Sequence, residues 1–409
     1  MLTRSTIYIS LCIGLLANTA NSAIARDASA MLNHDGSVTV TGITQPGQDI
    51  KVSQSCLAQT NQAAMVACTA NKFLETLSDK QEAKVLLDLT KENSTAWSNL
   101  PCGSRCRVGI SLGDLSAEQV AAALAVVKAA SSANVNDGFS EMMQILMADD
   151  VLGTAQSSEK GYRQAGTPPR GKGPRPDGPP PNAGPPPRGA GFGGYSSANY
   201  FIAFLGTPGT RNTWQLQFGG HHLALLKTYT GDREVGDTPT FVGIEPKVWT
   251  DGENVHAPLE QKRQAMVAML AGLTATQLAA AKIDAAFSDV LLGPGADGKF
   301  PETKVGLPVA ELDVSQKQLV LAAMNGWVRD TAPDTADTTM TDYKAGLDQT
   351  YIAYSGNRML SKHADYVRID GPRVWIEFVC QDGVVYGNQI HYHTVWRDHE
   401  TDYGAVYRF

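Results

Sequence analysis

Seven of the eight histidines lie after residue 220, and four of them fall in two compact phrases. These are Gly219-Gly220-His221-His222-Leu223 and Ile390-His391-Tyr392-His393-Thr394. In an extended strand, residues two apart face the same way, about 7 Å apart along the chain. His391 and His393 therefore present two imidazoles on one face, an arrangement that can grip one metal ion. Adjacent His221 and His222 face opposite sides of a regular strand. The two glycines before them allow a bulge that re-aims one. His222 is expected in the site and His221 in a supporting place. The plain alternative is that these histidines only hydrogen-bond across a sheet. His34, His256, His363 and His399 lie in polar contexts and read as solvated.

A carboxylate beside such a cluster could take a proton from water, the pairing that hydrolytic metal sites use. The run Tyr366–Phe378 alternates on both sides of Asp370-Gly371, a hairpin signature that places Glu377 on the strand next to the histidines. The register after Gln381-Asp382-Gly383 decides whether Glu377 is ligand, base or neither. Its bland reading is a cross-strand pair with Arg368 or Arg373. Arg397 and Asp398 close the histidine strand and are candidates to orient the imidazoles. An imidazole-rich, thiolate-free set suits zinc, and copper as well. Under copper, Cys102 and Cys106 become a possible second site. There is no nucleophile elbow, no phosphate-binding loop, and no dinucleotide fingerprint in a βαβ setting; Gly293-Pro294-Gly295-Ala296-Asp297-Gly298 reads as a turn.

Four tetrads of the form Ser/Thr-x-x-Gln open helical spacing: Ser78–Gln81, Ser116–Gln119, Thr274–Gln277 and Ser315–Gln318. Each reads as a capping box, with the hydroxyl on the first free amides and the Gln reaching back. Strand phrases follow each pair. Ile202-Ala203-Phe204-Leu205-Gly206 matches Ile352-Ala353-Tyr354-Ser355-Gly356, and Trp214–Phe218 matches Trp375–Phe378. The expected fold is α+β, with two similar halves that each lay helices beside an antiparallel sheet, a possible pseudo-twofold duplication. If equivalent strand ends meet at that axis, a three-histidine cluster follows.

Residues 1–25 carry Arg4, an apolar core from Ile7 to Ala17 and a small-residue Ala23-Ile24-Ala25 cleavage site, the pattern of a signal peptide. The organisation expected is 1–25 signal peptide, 26–165 first helical part, 166–194 Pro/Gly-rich insert, and 195–409 carrying the sheet, the second helices and the histidines. No other stretch reaches the roughly 18 uninterrupted apolar residues of a membrane span. A net charge of −7 without a basic stripe argues against nucleic acid as a partner. In an oxidising compartment Cys56–Cys68 and Cys102–Cys106 are natural local disulfides, leaving Cys380 as a buried thiol. The expected location is periplasmic or secreted.

The combination of GGHHLAL at 219–225, GPRVWIEF at 371–378, and HYHTVWRD with DYG at 391–404 resembles the domain of unknown function 3500 family. The resemblance spans nearly all of the chain after the leader; the Pro-rich insert lies outside the pattern. It implies an exported protein that groups His221, His222, His391 and His393, and it implies nothing about substrate. The functional expectation is a metal-dependent hydrolase. A copper oxidoreductase or copper-handling protein, and a non-catalytic envelope or extracellular binding protein, are the alternatives.

Overall fold

A computed structural model describes residues 28–33, 35–157 and 194–409. The leader, His34 and nearly all of the Pro/Gly-rich segment lie outside these residues. The fold is α+β. A large sheet runs through the molecule, and its eight main strands fall into two runs of four. The first run is Phe201–Leu205, Thr213–Gly219, Leu223–Thr230 and Thr240–Ile244. The second is Tyr351–Ser355, Tyr366–Asp370, Val374–Asp382 and Ile390–Asp398. Neighbours within each run are antiparallel, as expected for hairpins. The two runs join by pairing their last strands, Thr240–Ile244 with Ile390–Asp398.

Each run is preceded by similar helices. Ser78, Ser116 and Thr274 cap theirs as expected, and the cap amide of each donates to the Gln three residues on. The fourth box differs: it is Asp313 with Gln316, so the helix Val314–Val328 is capped two residues before the expected Ser315. Asp caps as well as Ser, and its neighbour Leu312 is already buried, which fixes the entry point. The cap glutamines then meet in pairs, Gln81 with Gln119 and Gln277 with Gln316.

The sheet's two faces are covered differently. Helices pack on Ile202, Phe218, Leu225, Val242, Ile376, Phe378, Tyr392 and Trp396. The other face buries Leu226, Phe241, Trp375, Val379 and Val395 under irregular chain that includes Trp97, Val290 and Leu292. Strand alternation sends Tyr392 to the helical side and His391 and His393 to the irregular side. The helix Gly138–Ser157 is buried on nearly every side, which is why its sequence is apolar around the whole circumference. Glu141 in it receives Lys262 at 2.5 Å, and Lys262 also meets Asp330 at 2.8 Å. That buried ion group fixes the helix to the second half of the chain.

Both expected cysteine pairs, Cys56–Cys68 and Cys102–Cys106, are at bonding distance, and Cys380 is a free, buried thiol. Among the described residues, no helix is long and apolar enough to cross a membrane. Both observations are compatible with an extracellular protein.

Candidate metal centre

His391 and His393 project from one strand face, and their Nε2 atoms lie 3.3 Å apart. Tetrahedral ligation with bonds of about 2.0–2.1 Å puts neighbouring nitrogens about 3.3–3.4 Å apart, so this edge already has the length a shared ion requires. His393 pairs across the strand junction with Gly243. A Cβ on Gly243 would stand 2.6 Å from the His222 ring and 2.9 Å from the His393 ring. The absent side chain is the space in which the imidazoles meet.

His222 arrives from the tight connection between Thr213–Gly219 and Leu223–Thr230. Gly220 donates to Leu223 O, and Gly243 donates to His222 O, at 2.8 and 2.7 Å. A Cβ at Gly220 would run into the Tyr200 ring at 2.6 Å, so the second glycine is needed for close packing. Because the pair sits in a turn, strand alternation does not govern it. His221 and His222 turn to the same side, with ring centroids 3.8 Å apart. The ligand atoms of His222, His391 and His393 all lie within 4.8 Å of one another, and the three rings are buried.

Two carboxylates back this trio. Asp149, from the buried helix, meets His222 Nδ1 at 2.8 Å, and Tyr200 donates to its other oxygen at 2.8 Å. Asp289 meets His393 Nδ1 at 3.0 Å and is itself held by the Val290 amide and the Asn99 side chain. A carboxylate on Nδ1 fixes the proton there and leaves the Nε2 lone pair for a metal. His222 Nε2 is buried and has no hydrogen-bond partner, so its lone pair is free to bind an ion.

Burial holds the His222 pKa down to about 3, helped by repulsion from His221 and His393. Burial and the neighbouring rings also draw His391 well below the ordinary imidazole range. Both are thus neutral donors near pH 7. Burial alone would raise Asp149, but the attraction of His222 and His221 outweighs it and keeps the carboxyl below its usual range. The arrangement can hold a divalent metal ion through three imidazole nitrogens.

The expected roles of Glu377 and Arg397 do not match their surroundings. Gln381 pairs with His391 and Val379 with His393, so Glu377 shares the histidines' face but lies farther along it. Its carboxylate accepts from the Leu291 and Leu292 amides, Trp375 Nε1 and the Tyr366 hydroxyl, at 2.6–2.9 Å. Four donors leave it no lone pair for a metal or a water. The fully buried Arg397 donates to Leu292 O and Gly293 O and pairs with Asp297 and Asp402. Together they clasp the segment 291–297, and that segment begins two residues after Asp289. Their connection to the histidines is through the position of this second carboxylate.

Asp149 and Asp289 were not singled out from the sequence. An acidic pair inside Met147-Ala148-Asp149-Asp150-Val151 is a usable signal, since a charge in an all-round apolar helix requires a buried partner. Asp289 sits in irregular chain and carries no such mark. The two histidine phrases are also not at matching places in the two runs. His222 lies between the second and third strands of its run, and His391 and His393 lie on the fourth strand of theirs. Likewise Trp214 is on a second strand and Trp375 on a third. The phrases come together because the runs join edge to edge. Of the remaining histidines, His256 stacks on Trp249 and His399 on Phe300, and His363 accepts from the Asp382 amide. His363 is exposed as expected, whereas His256 and His399 are half-buried against their aromatic partners.

Residues 59–405 match the family model described as protein of unknown function, DUF3500. Comparison with the curated proteins and with the solved structures finds no match.

Proposed function

Since the chain belongs to the DUF3500 family, which is described without a function, we propose from its own geometry that it is an exported metal-binding protein, most plausibly a metal-dependent hydrolase. His222, His391 and His393 would hold zinc. The observation that carries this reading is the convergence of three buried imidazoles, two of them with a carboxylate on the far nitrogen. Three imidazole nitrogen ligands with a further position free are the donor set of hydrolytic zinc sites. Zinc supplies Lewis acidity and an activated water there. The chain's own part is to orient the rings through Asp149 and Asp289 and to exclude bulk water by burial. Glu377 has no place in the chemistry of this reading. Export is supported by the leader-like start and the two cysteine pairs. The parallel order of the two strand runs supports a duplication.

Copper is the second reading, because an all-imidazole set without a free carboxylate base suits it as well. Metal analysis of the full chain purified from periplasm or medium tests the proposal. We expect one tightly held ion, retained through dialysis, lost in His391→Ala with the fold kept by circular dichroism. No stoichiometric metal, or metal unaffected by that substitution, would sink it. A panel of ester and phosphoester substrates, with and without chelator, tests hydrolysis. Paramagnetic resonance of the copper-loaded protein separates the two ions.

A further inference from the structure

Beyond the trio, a second group of ligand atoms shares His222. Those of Asp149, His221 and His222 all lie within 4.8 Å of one another. Asp149 Oδ1 is 2.8 Å from His222 Nδ1 and 3.6 Å from His221 Nδ1. These values bracket the ligand–ligand edge of about 3.3 Å in a four-coordinate ion with bonds near 2 Å. The longer one exceeds a normal hydrogen bond, and His221 Nδ1 is buried without a partner. The His221 ring is nevertheless fixed in place, against Tyr195 at 4.8 Å and His222 at 3.8 Å between centroids. A held imidazole whose Nδ1 is buried and makes no hydrogen bond, beside a buried carboxylate, is placed to donate to an ion.

We propose that Asp149, His221 and His222 Nδ1 form a second metal position, bridged to the first by the His222 ring. The proposal rests on the reading of His222, His391 and His393 as a metal centre. In the singly loaded protein His222 Nδ1 keeps its proton on Asp149. A second ion held there would take the place of that proton, which would leave to solvent, and His222 would then serve one position through each ring nitrogen. One nitrogen–hydrogen bond breaks, one nitrogen–metal bond forms, and no oxidant or reductant is required. Two imidazole nitrogens and one carboxylate oxygen suit copper(II) or zinc(II). Access comes through a small cleft over Asp149 and His221, lined by Pro101, Gly103, Tyr195 and Asn199. The Arg107 guanidinium also lines it, with donors committed to Ser98 O, Leu100 O and Gly220 O. Its charge makes the second position the weaker one.

Titration of the full-length metal-free protein with copper(II), followed by gel filtration and metal analysis, should reach two ions per chain. The partly exposed His221 tolerates replacement, and His221→Ala should stop at one ion. In the wild type the paramagnetic resonance signal should grow with the first equivalent and fall with the second, as spins couple across the bridge. That readout needs no variant. Saturation at one ion in the wild type, or two ions in His221→Ala, overturns the second position and leaves the first standing. Binding of no ion at all overturns the first reading as well.

Discussion

Replacing Gly243 by alanine perturbs the candidate centre without touching any ligand. Gly243 lies in the strand Thr240–Ile244, where an alanine backbone is unstrained, so the effect of the methyl group is spatial. The new Cβ would start 2.6 Å from His222 Cδ2 and 2.9 Å from His393 Cδ2. Ordinary carbon contacts begin near about 3.5 Å, so the rings must retreat by roughly 0.9 and 0.6 Å. Metal–ligand distances tolerate only about 0.2 Å, so both rings cannot keep their bonds to one ion. The overpacking itself should cost the metal-free fold about 1–3 kcal/mol. For the ion, the loss should be at least the roughly 10–100-fold seen when a residue that orients a ligand is removed. Calorimetric titration of zinc into wild type and Gly243→Ala, in competition with a chelator, measures this. Thermal melts of both metal-free proteins measure the fold separately. Unchanged affinity in a folded Gly243→Ala protein would refute the placement of the ion between these rings.

Asp289→Asn keeps the side chain's shape but weakens its hold on the His393 Nδ1 proton, and should lower zinc affinity about 10–100-fold with little change in melting; equal affinity would remove Asp289 from its assigned role. Glu377→Ala strands four buried donors and should destabilise the metal-free protein in urea by about 3–5 kcal/mol; a loss under about 1 kcal/mol would mean the clasp on 291–292 is not what Glu377 does. Acid should weaken the metal-free fold through the buried histidines. His222 is lowered to about 3 when folded, so the unfolded chain binds the extra proton between about pH 6.5 and pH 3. Its contribution is fully present above pH 6.5 and falls by about 1.4 kcal/mol per pH unit as pH drops toward 3, with His391 acting in the same direction. Glu141, raised by burial to about 8, acts with the opposite sign, so the wild-type slope is compared with that of His391→Gln, which should be shallower; identical slopes would contradict the burial argument.

The legible parts of this protein are those fixed by local rules. Two-residue periodicity puts His391 and His393 on one face with Tyr392 on the other. The sequence leaves the register beside Glu377 open: the turn expected at Gln381-Asp382-Gly383 is instead the connection 383–389, with Gln381 and Asp382 still in the strand. Three of the four capping boxes follow from the hydroxyl–Gln spacing, and Asp313 could have been chosen by the same chemistry. What local rules do not reach is the source of the supporting groups. Asp149 comes from a helix that precedes the sheet, and Asp289 from irregular chain placed by Glu377 and Arg397. Those last two residues stand out in the sequence because they lie near the histidines, yet among their partners are backbone groups of 291–293, about a hundred positions away. The meeting of the histidine phrases was expected from matching positions in two halves. It arises instead because one phrase is a turn and the other a strand on either side of a junction.

That junction has a consequence for the order in which the molecule assembles. Within each run, strands pair with close neighbours in the chain, contacts that cost little loop-closure entropy and form readily. The pairing of Thr240–Ile244 with Ile390–Asp398 closes over more than a third of the chain and should be among the slower events. His222 stands on one side of this seam and His391 and His393 on the other. Neither run alone brings His222, His391 and His393 together, so an ion that needs all three cannot template early folding. On the proposed reading such an ion is taken up only once the two runs have joined, and it would then clamp the junction that both runs had to complete first.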